Sequence, residues 1–314
     1  MIELQNSALA PNPDIFCSVL SRDLKEPLFA TALSIEFWFL LEYAGPWRAK
    51  ATTDNELPRQ IQSWLDAQLE ATMGRGRVQF IKQERERSLD HLTFYTVHAR
   101  ESEPRMYRLQ MEHYTDLLQL DMAALLAGDA SYEAARQYEP LYLVCTNGLR
   151  DRCCALFGLE VYRSLQGVAG DAVWQTTHIG GHRFAANVLT FPDGAYYGRV
   201  QTGDVERFYE ARQRGEMALE HLRGRSCYEE AVQAADYYLR RETGQRALGA
   251  FRYSGSCSPA RDDFHVTFLG QDDGATYEVA LRREVLRLPI YVSCRKPQVE
   301  PLIVYRLVGL KRAA

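Results

Sequence analysis

The sequence carries the same order of predicted elements twice: a strand, a helix, a strand, a pair of strands and a second helix. The first copy opens with an apolar run at 30–43 that predicts a buried strand, and residues 57–73 follow with apolar side chains at helical spacing. The second copy opens with a short apolar strand at 141–144 and a helix at 154–165. We infer an internal duplication and an α/β fold, because strand and helix patterns alternate within each copy.

The chain divides into three predicted domains. The first unit covers residues 1–135, and its opening residues, 1–13, predict an extended arm because they show no periodicity. The second unit covers residues 136–240. Residues 241–314 predict a small β-rich region, since short β-prone runs alternate there with turns such as the Gly-Gln-Asp-Asp-Gly at 270–274.

The composition argues against several classes of protein. A net charge of −4 disfavours a nucleic-acid partner, and no apolar run is long enough to predict a membrane span. The first residues lack the basic-then-apolar pattern of a secretory signal, so we expect a cytoplasmic protein. The seven cysteines, an odd number, favour metal ligands or buried thiols over a disulfide framework.

Cysteine and histidine residues cluster in the loops of the second unit. Cys145 ends a predicted strand, Cys153 and Cys154 open the predicted helix, and His178 and His182 follow the next strand. The Ile-Gly-Gly between the two histidines allows a tight turn that directs both imidazoles to one point. Thiolate and imidazole donors predict a metal site, and their spacing leaves open a zinc ion or an iron–sulfur cluster.

The motifs around these residues resemble the sucrase/ferredoxin-like family. They are Cys-Thr-Asn-Gly-Leu-Arg-Asp-Arg-Cys-Cys at 145–154, His-Ile-Gly-Gly-His-Arg-Phe-Ala-Ala-Asn at 178–187 and Tyr-Gly-Arg at 197–199. The resemblance covers most of residues 15–240. It implies a thioredoxin-like fold for the second unit. The duplication extends this fold to the first unit, which is degenerate because its matching positions hold Tyr43, Lys82 and other non-ligands. The predicted fold is therefore α/β with two thioredoxin-like units, followed by a β-rich C-terminal region that lies outside the resemblance.

The resemblance also implies a cofactor and its ligands. The family binds a [2Fe–2S] cluster, and its ligand positions fall on Cys145, Cys154, His178 and His182. Relatives often hold a basic residue where this chain has Cys153. We therefore predict Cys154 as the ligand of the adjacent pair, because two neighbouring thiolates rarely reach the same metal.

The function implied is one-electron transfer or redox sensing with a partner protein that the sequence does not name. No nucleotide-binding, Ser-His-Asp or paired-carboxylate motif is found, so we expect an electron carrier without a substrate-turnover site and without nucleic-acid or membrane partners. Two other functions stay open: a structural zinc protein that mediates protein contacts, and a metal-free thiol redox protein. Four further cysteines share no spacing and are interpreted as unrelated thiols: Cys17, Cys227, Cys257 and Cys294.

Overall fold

The computed structural model describes residues 16–84 and 91–313, with the side chains of 296–298 excepted, so the predicted arm at 1–13 lies outside it. Helix α1 (Cys17–Asp23) opens the described chain. Its seven residues make only two turns, which is too short for a helical period to show in the sequence. This helix was therefore not predicted.

The first unit forms one half of a mixed sheet. Its elements are β1 (Phe37–Glu42), α2 (Arg59–Ala71), β2 (Gly76–Lys82), β3 (Leu92–His98), β4 (Arg105–Met111) and α3 (Met122–Ala127). Strands β1 and β2 are parallel, whereas β3 and β4 are added antiparallel, which gives the order β4-β3-β1-β2.

Two predictions for this unit need correction. The strand predicted at 30–43 begins only at Phe37, because Thr31 and Ile35 donate their backbone hydrogen bonds to carbonyls of the second unit. The sequence also predicts a single helix at 117–126, but the structure splits this segment into a 3₁₀ turn and α3, because the Asp121 side chain caps α3 by accepting the Ala124 N–H at 3.0 Å.

The second unit forms the other half of the sheet. Its elements are β5 (Leu141–Cys145), α4 (Arg152–Ala169), β6 (Val173–Thr176), β7 (Val188–Phe191), β8 (Ala195–Tyr197), α5 (Val205–Gln213) and β9 (Leu222–Arg225). The strand order is β6-β5-β7-β8-β9, with β5 and β6 parallel and β7 antiparallel to β5. The sequence also predicts a strand at 184–189, but the observed strand begins at Val188, because His182–Phe184 form a 3₁₀ turn.

The two units share one topology. In each, a strand–helix–strand unit with parallel strands is followed by an antiparallel hairpin that adds to the first strand. This is the strand order of a thioredoxin-like unit, and its repetition confirms the predicted α/β fold and the duplication. The copies join where β2 pairs antiparallel with β6, Ile81 opposite Thr176, so one nine-stranded sheet runs through both.

The C-terminal region is β-rich, as predicted. Helix α6 (Glu230–Thr243) leads into it from the second unit, and its strands are β10 (Phe251–Ala260), β11 (Asp263–Gly270), β12 (Thr276–Leu286), β13 (Tyr291–Ser293), β14 (Lys296–Val299) and β15 (Leu302–Ala313). Four of these strands form an antiparallel sheet that packs on α6 through Leu239, Phe268 and Val279. Strands β13 and β14 form a separate hairpin, and β13 packs against α1.

Apolar side chains from both units fill one face of the nine-stranded sheet. Trp38 of the first unit and Leu143 and Trp174 of the second belong to a single buried cluster there. The shared cluster ties the copies together beyond the short β2–β6 pairing. Within residues 16–84 and 91–313, no helix combines the length and the apolar character needed to cross a bilayer.

A buried ion pair anchors α5 to the β7–β8 turn. The Arg212 guanidinium lies 2.6 Å from the Asp193 carboxylate, and both side chains are almost fully buried. We expect Arg212→Met to lower the free energy of unfolding by about 3–5 kcal/mol, because it leaves the Asp193 charge buried without its partner. Urea unfolding measures the change. The control is Arg214→Met, which removes a solvent-exposed pair with Glu216 and should cost less than about 1 kcal/mol; equal losses would contradict the argument.

Candidate metal centre

A close approach between a strand and a helix brings two cysteines together. Cys145 is the last residue of β5, and Cys154 lies in the first turn of α4. Gly158 of α4 faces the backbone of β5, and a Cβ at this position would clash with the carbonyl oxygen of Cys145. The missing side chain therefore lets α4 pack directly on the end of β5, which places both thiols at the same edge of the sheet.

His178 meets the two thiols. Its Nδ1 lies 3.9 Å from the Cys145 sulfur and 3.8 Å from the Cys154 sulfur. The three donor atoms all lie within 4.8 Å of one another. Both cysteines are fully buried, whereas His178 is half-buried. Two soft thiols and an imidazole at such distances can bind one metal centre.

His182 lies against His178. The two rings are stacked, with their centroids 4.8 Å apart and their planes 28° from parallel. The Nδ1 atom of His182 is buried and has no hydrogen-bond partner among the described residues. The structure thus groups three of the four predicted ligands and places the fourth beside the third. A buried nitrogen without a partner fits a ligand position, because burial without a bond is costly.

Two glycines and a buried arginine shape the loop that carries the histidines. Gly180 and Gly181 have φ values of +92° and +68°, a region that favours glycine. Asn187 donates to the Gly181 carbonyl at 2.9 Å, and Arg223 donates to the Gly180 carbonyl at 3.1 Å and to Asn187 Oδ1 at 2.9 Å. Burial lowers the pKa of Arg223 to about 10, so it stays charged at neutral pH.

Arg223 was not predicted as a site residue. It lies on β9, 43 residues after the glycine whose carbonyl it binds. The strand reads Leu-Arg-Gly-Arg, which lacks the apolar pattern of a buried strand. Only the tertiary contact shows its role in positioning the histidine loop.

The pKa values of the donor groups are shifted in ways that favour the binding of a cation. A hydrogen bond between the two thiols holds the pKa of Cys145 well below its ordinary range and raises the pKa of Cys154. Burial, and next the neighbouring His178, lower the pKa of His182. These shifts favour a thiolate at Cys145 and a neutral imidazole at His182. These are the protonation states that metal binding requires.

Cys153 faces away from this site. Its sulfur lies 3.6 Å from that of Cys17 and 3.3 Å from that of Cys294. Adjacent residues of an α-helix point about 100° apart, so the side chains of Cys153 and Cys154 lie in different surroundings. The interpretation of Cys17 and Cys294 as unrelated thiols is therefore wrong. Sequence spacing carries no sign of their meeting, since 136 and 141 residues separate them from Cys153.

The histidine side of the site opens to a cavity. His178 lines a cavity of about 450 Å³ together with Asn147, Arg77 and Arg150. Arg77 also donates to the His178 carbonyl at 2.8 Å. The thiols are buried in the protein, so access from outside comes along the imidazole edge and past two arginines.

Fold and donor set together define the class: an α/β protein of two thioredoxin-like units that gathers cysteine and histidine donors of the kind that bind soft metals. Residues 28–224 match the sucrase/ferredoxin-like family. The chain belongs to this family, and the resemblance found in the sequence is confirmed.

Known proteins show partial similarity. The protein "altered inheritance of mitochondria protein 32" of Meyerozyma guilliermondii is 35% identical over 78 residues, which cover 22% of this chain and 28% of that protein. Among solved structures, the wild-type thioredoxin-like [2Fe–2S] ferredoxin from Aquifex aeolicus is 20% identical, with a TM-score of 0.24, over 27% of this chain and 97% of the ferredoxin. A cysteine-to-serine variant of that ferredoxin is 21% identical, with the same coverage and TM-score.

Helix α4 offers a direct test of the close approach at Gly158. We expect Gly158→Ala to lower the free energy of unfolding by about 1–3 kcal/mol, because the new methyl group must push α4 away from the Cys145 carbonyl. Gly167→Ala is the matched control on the same helix, since open space surrounds that position. It should be neutral or stabilising by up to about 1 kcal/mol. Equal destabilisation of both variants in urea titrations would exclude tight packing at Gly158.

Proposed function

We propose that this chain binds a [2Fe–2S] cluster through Cys145, Cys154, His178 and His182 and works as an electron-transfer or redox-sensing protein. The observation that carries the proposal is the meeting of two buried thiols with a stacked histidine pair, one nitrogen of which is buried without a hydrogen-bond partner in the described part of the chain. Membership of the sucrase/ferredoxin-like family supports it. When bound, such a cluster takes up and releases one electron.

The four proposed ligands would differ in charge. Cys145 and Cys154 would each supply a thiolate, whereas His178 and His182 would bind as neutral imidazoles. Fewer negative charges around the iron make it easier to add an electron. We therefore expect a potential nearer the range of about −150 to +300 mV of Rieske centres, in which two histidines bind one of the irons, than the value of about −400 mV of plant-type all-cysteine ferredoxins.

The surroundings of His178 favour an acidic redox partner. Arg77 and Arg150 line the same cavity as His178, and the thiols lie behind it in the protein interior. A partner that presents carboxylates would be attracted to these arginines and would approach the imidazole edge first. Electrons would then be exchanged on the histidine side.

The first test is the composition of the protein purified without air. We expect a visible absorption spectrum and about two irons and two acid-labile sulfides per chain, because this is the content of one [2Fe–2S] cluster. Cys154→Ala and His178→Ala should lose or alter the spectrum. His265→Ala, which removes a partly exposed histidine on β11, is the control and should leave it unchanged.

A second test addresses His182 itself. Replacing a neutral ligand by a thiolate adds a negative charge, so His182→Cys is expected to lower the reduction potential by on the order of 100 mV. Redox titration followed by visible absorption measures the shift. A potential that stays at the wild-type value in a variant that retains the cluster would show that His182 does not bind iron.

A single zinc ion is the second candidate. In a tetrahedral zinc site with Zn–S of about 2.3 Å and Zn–N of about 2.0–2.1 Å, sulfur and nitrogen lie about 3.6 Å apart. The two sulfur–nitrogen distances to His178, 3.8 and 3.9 Å, are close to this value. Colourless protein with zinc at this site would contradict the electron-transfer proposal and would indicate a structural function instead.

A further inference from the structure

Three cysteines from distant parts of the chain meet at the start of α4. Cys17 comes from α1, Cys153 from α4 and Cys294 from the residue after β13. The sulfur of Cys153 lies 3.6 Å from that of Cys17 and 3.3 Å from that of Cys294. Together with an Asp151 carboxylate oxygen, one donor atom from each residue lies within 4.8 Å of all the others.

Asp151 organises this cluster. Its carboxylate is fully buried and accepts the backbone N–H groups of Cys153 and Cys294, each at 2.9 Å. It also accepts the Ser293 hydroxyl at 3.0 Å. A single side chain thus fixes both the first turn of α4 and the C-terminal hairpin, and one of its oxygens, Oδ1, faces the Cys17 sulfur at 4.0 Å.

We propose that Cys17, Cys153 and Cys294, with Asp151 as the fourth ligand, form a zinc site separate from the cluster site. Three sulfurs on one tetrahedral zinc ion lie about 3.8 Å apart, given a Zn–S distance of about 2.3 Å. The two measured sulfur–sulfur distances, 3.6 and 3.3 Å, require only small shifts to reach this arrangement. Thiolates joined by a carboxylate are a donor set that zinc accepts.

The surroundings suit a negatively charged metal centre. The site lies at the N-terminus of α4, an 18-residue helix whose dipole favours negative charge there. Two donors already point at the sulfurs: the Cys17 N–H reaches the Cys294 sulfur at 3.3 Å, and the Ser18 hydroxyl reaches the Cys153 sulfur at 3.2 Å. Ala185 and Tyr291 help to enclose the group. Residues that surround a metal site commonly supply such hydrogen bonds to its ligands.

A disulfide is the rival explanation for close sulfurs. A disulfide would join only two of the three cysteines. It would not account for the positions of the third thiol and the Asp151 carboxylate. A zinc ion uses all four groups at once. The convergence of three sulfurs around one position, Cys153, therefore favours the metal.

The site would join two segments outside the family match to helix α4, which lies inside it. Residues 28–224 match the family, so Cys17 and Cys294 lie outside the match and only Cys153 and Asp151 lie inside it. Binding zinc would tie α1 and the β13–β14 hairpin to the helix that carries Cys154. It would thereby hold the first turn of α4 rigid beside the cluster site.

The test compares metal contents of full-length protein made in zinc-supplemented cells. We expect the double variant Cys17→Ala/Cys294→Ala to contain one zinc fewer per chain than wild type, with iron and acid-labile sulfide unchanged. Cys257→Ala, at an exposed position on β10, is the control and should keep the zinc. If zinc instead of a cluster occupies the first site, wild type carries two zinc ions and the double variant one, so the two proposals fail separately.

Two further measurements keep the test decisive should the double variant not fold. Cys294→His retains a zinc donor and is expected to keep the ion. Mass spectrometry of alkylated wild-type protein under non-reducing conditions should find all three cysteines free once zinc is removed. A disulfide between two of them, or equal zinc content in wild type and a folded double variant, would overturn the proposal.

Discussion

The arrangement around both cysteine groups depends on one buried carboxylate. Asp151 caps α4 by accepting the Cys153 N–H, and its other oxygen holds the Cys294 N–H and the Ser293 hydroxyl. A buried charge is tolerated only when it is well bonded, and these three donors meet that condition. By fixing the residue at which α4 begins, Asp151 also fixes where the next two thiols point. Shifting the start by one residue would rotate both by about 100° and would remove each from its partners.

Local patterns in the sequence predicted the parts of the fold that local physics determines. The buried strand ending at Cys145 and the capped helix after Asp151 show in apolar runs and helical spacing, so the order of elements in both units could be inferred. The donors of the candidate metal centre were predicted partly for a similar reason, since they lie at the start of a predicted helix, at the end of a predicted strand or in the loop that follows one, whereas the choice of Cys154 over Cys153 rested on the family resemblance. The site residues that the sequence did not predict depend on contacts between distant parts of the chain. Arg223 orders a loop 43 residues away, and Cys17 contacts Cys153 across 136 residues. No periodicity records such meetings.

The two copies share one topology but differ at the strand ends that carry the donors of the candidate metal centre. Thiols and imidazoles lie at or just after strand ends in the second unit. At the corresponding strand ends of the first unit, other residues make other contacts. Glu42, at the end of β1, is buried and accepts the Thr93 N–H at 3.0 Å. Lys82, at the end of β2, places its ammonium 4.4 Å from the centre of the Trp47 ring. A hydrogen bond and a cation–π contact thus stabilise the first copy where the second carries cysteine and histidine donors, which matches the expected degenerate character of the first copy.

The two sides of the candidate metal centre differ in a way that suits electron exchange. On the thiol side, Gly158 lets α4 press against β5, and the Asp151 network secures the first turn of the helix. On the imidazole side, His178 borders a cavity with positively charged walls. A redox centre works best when its ligands move little as its charge changes, because every shift of a ligand adds to the barrier for transfer. Close packing behind the thiols and access in front of the histidines therefore fit the redox function proposed for this site.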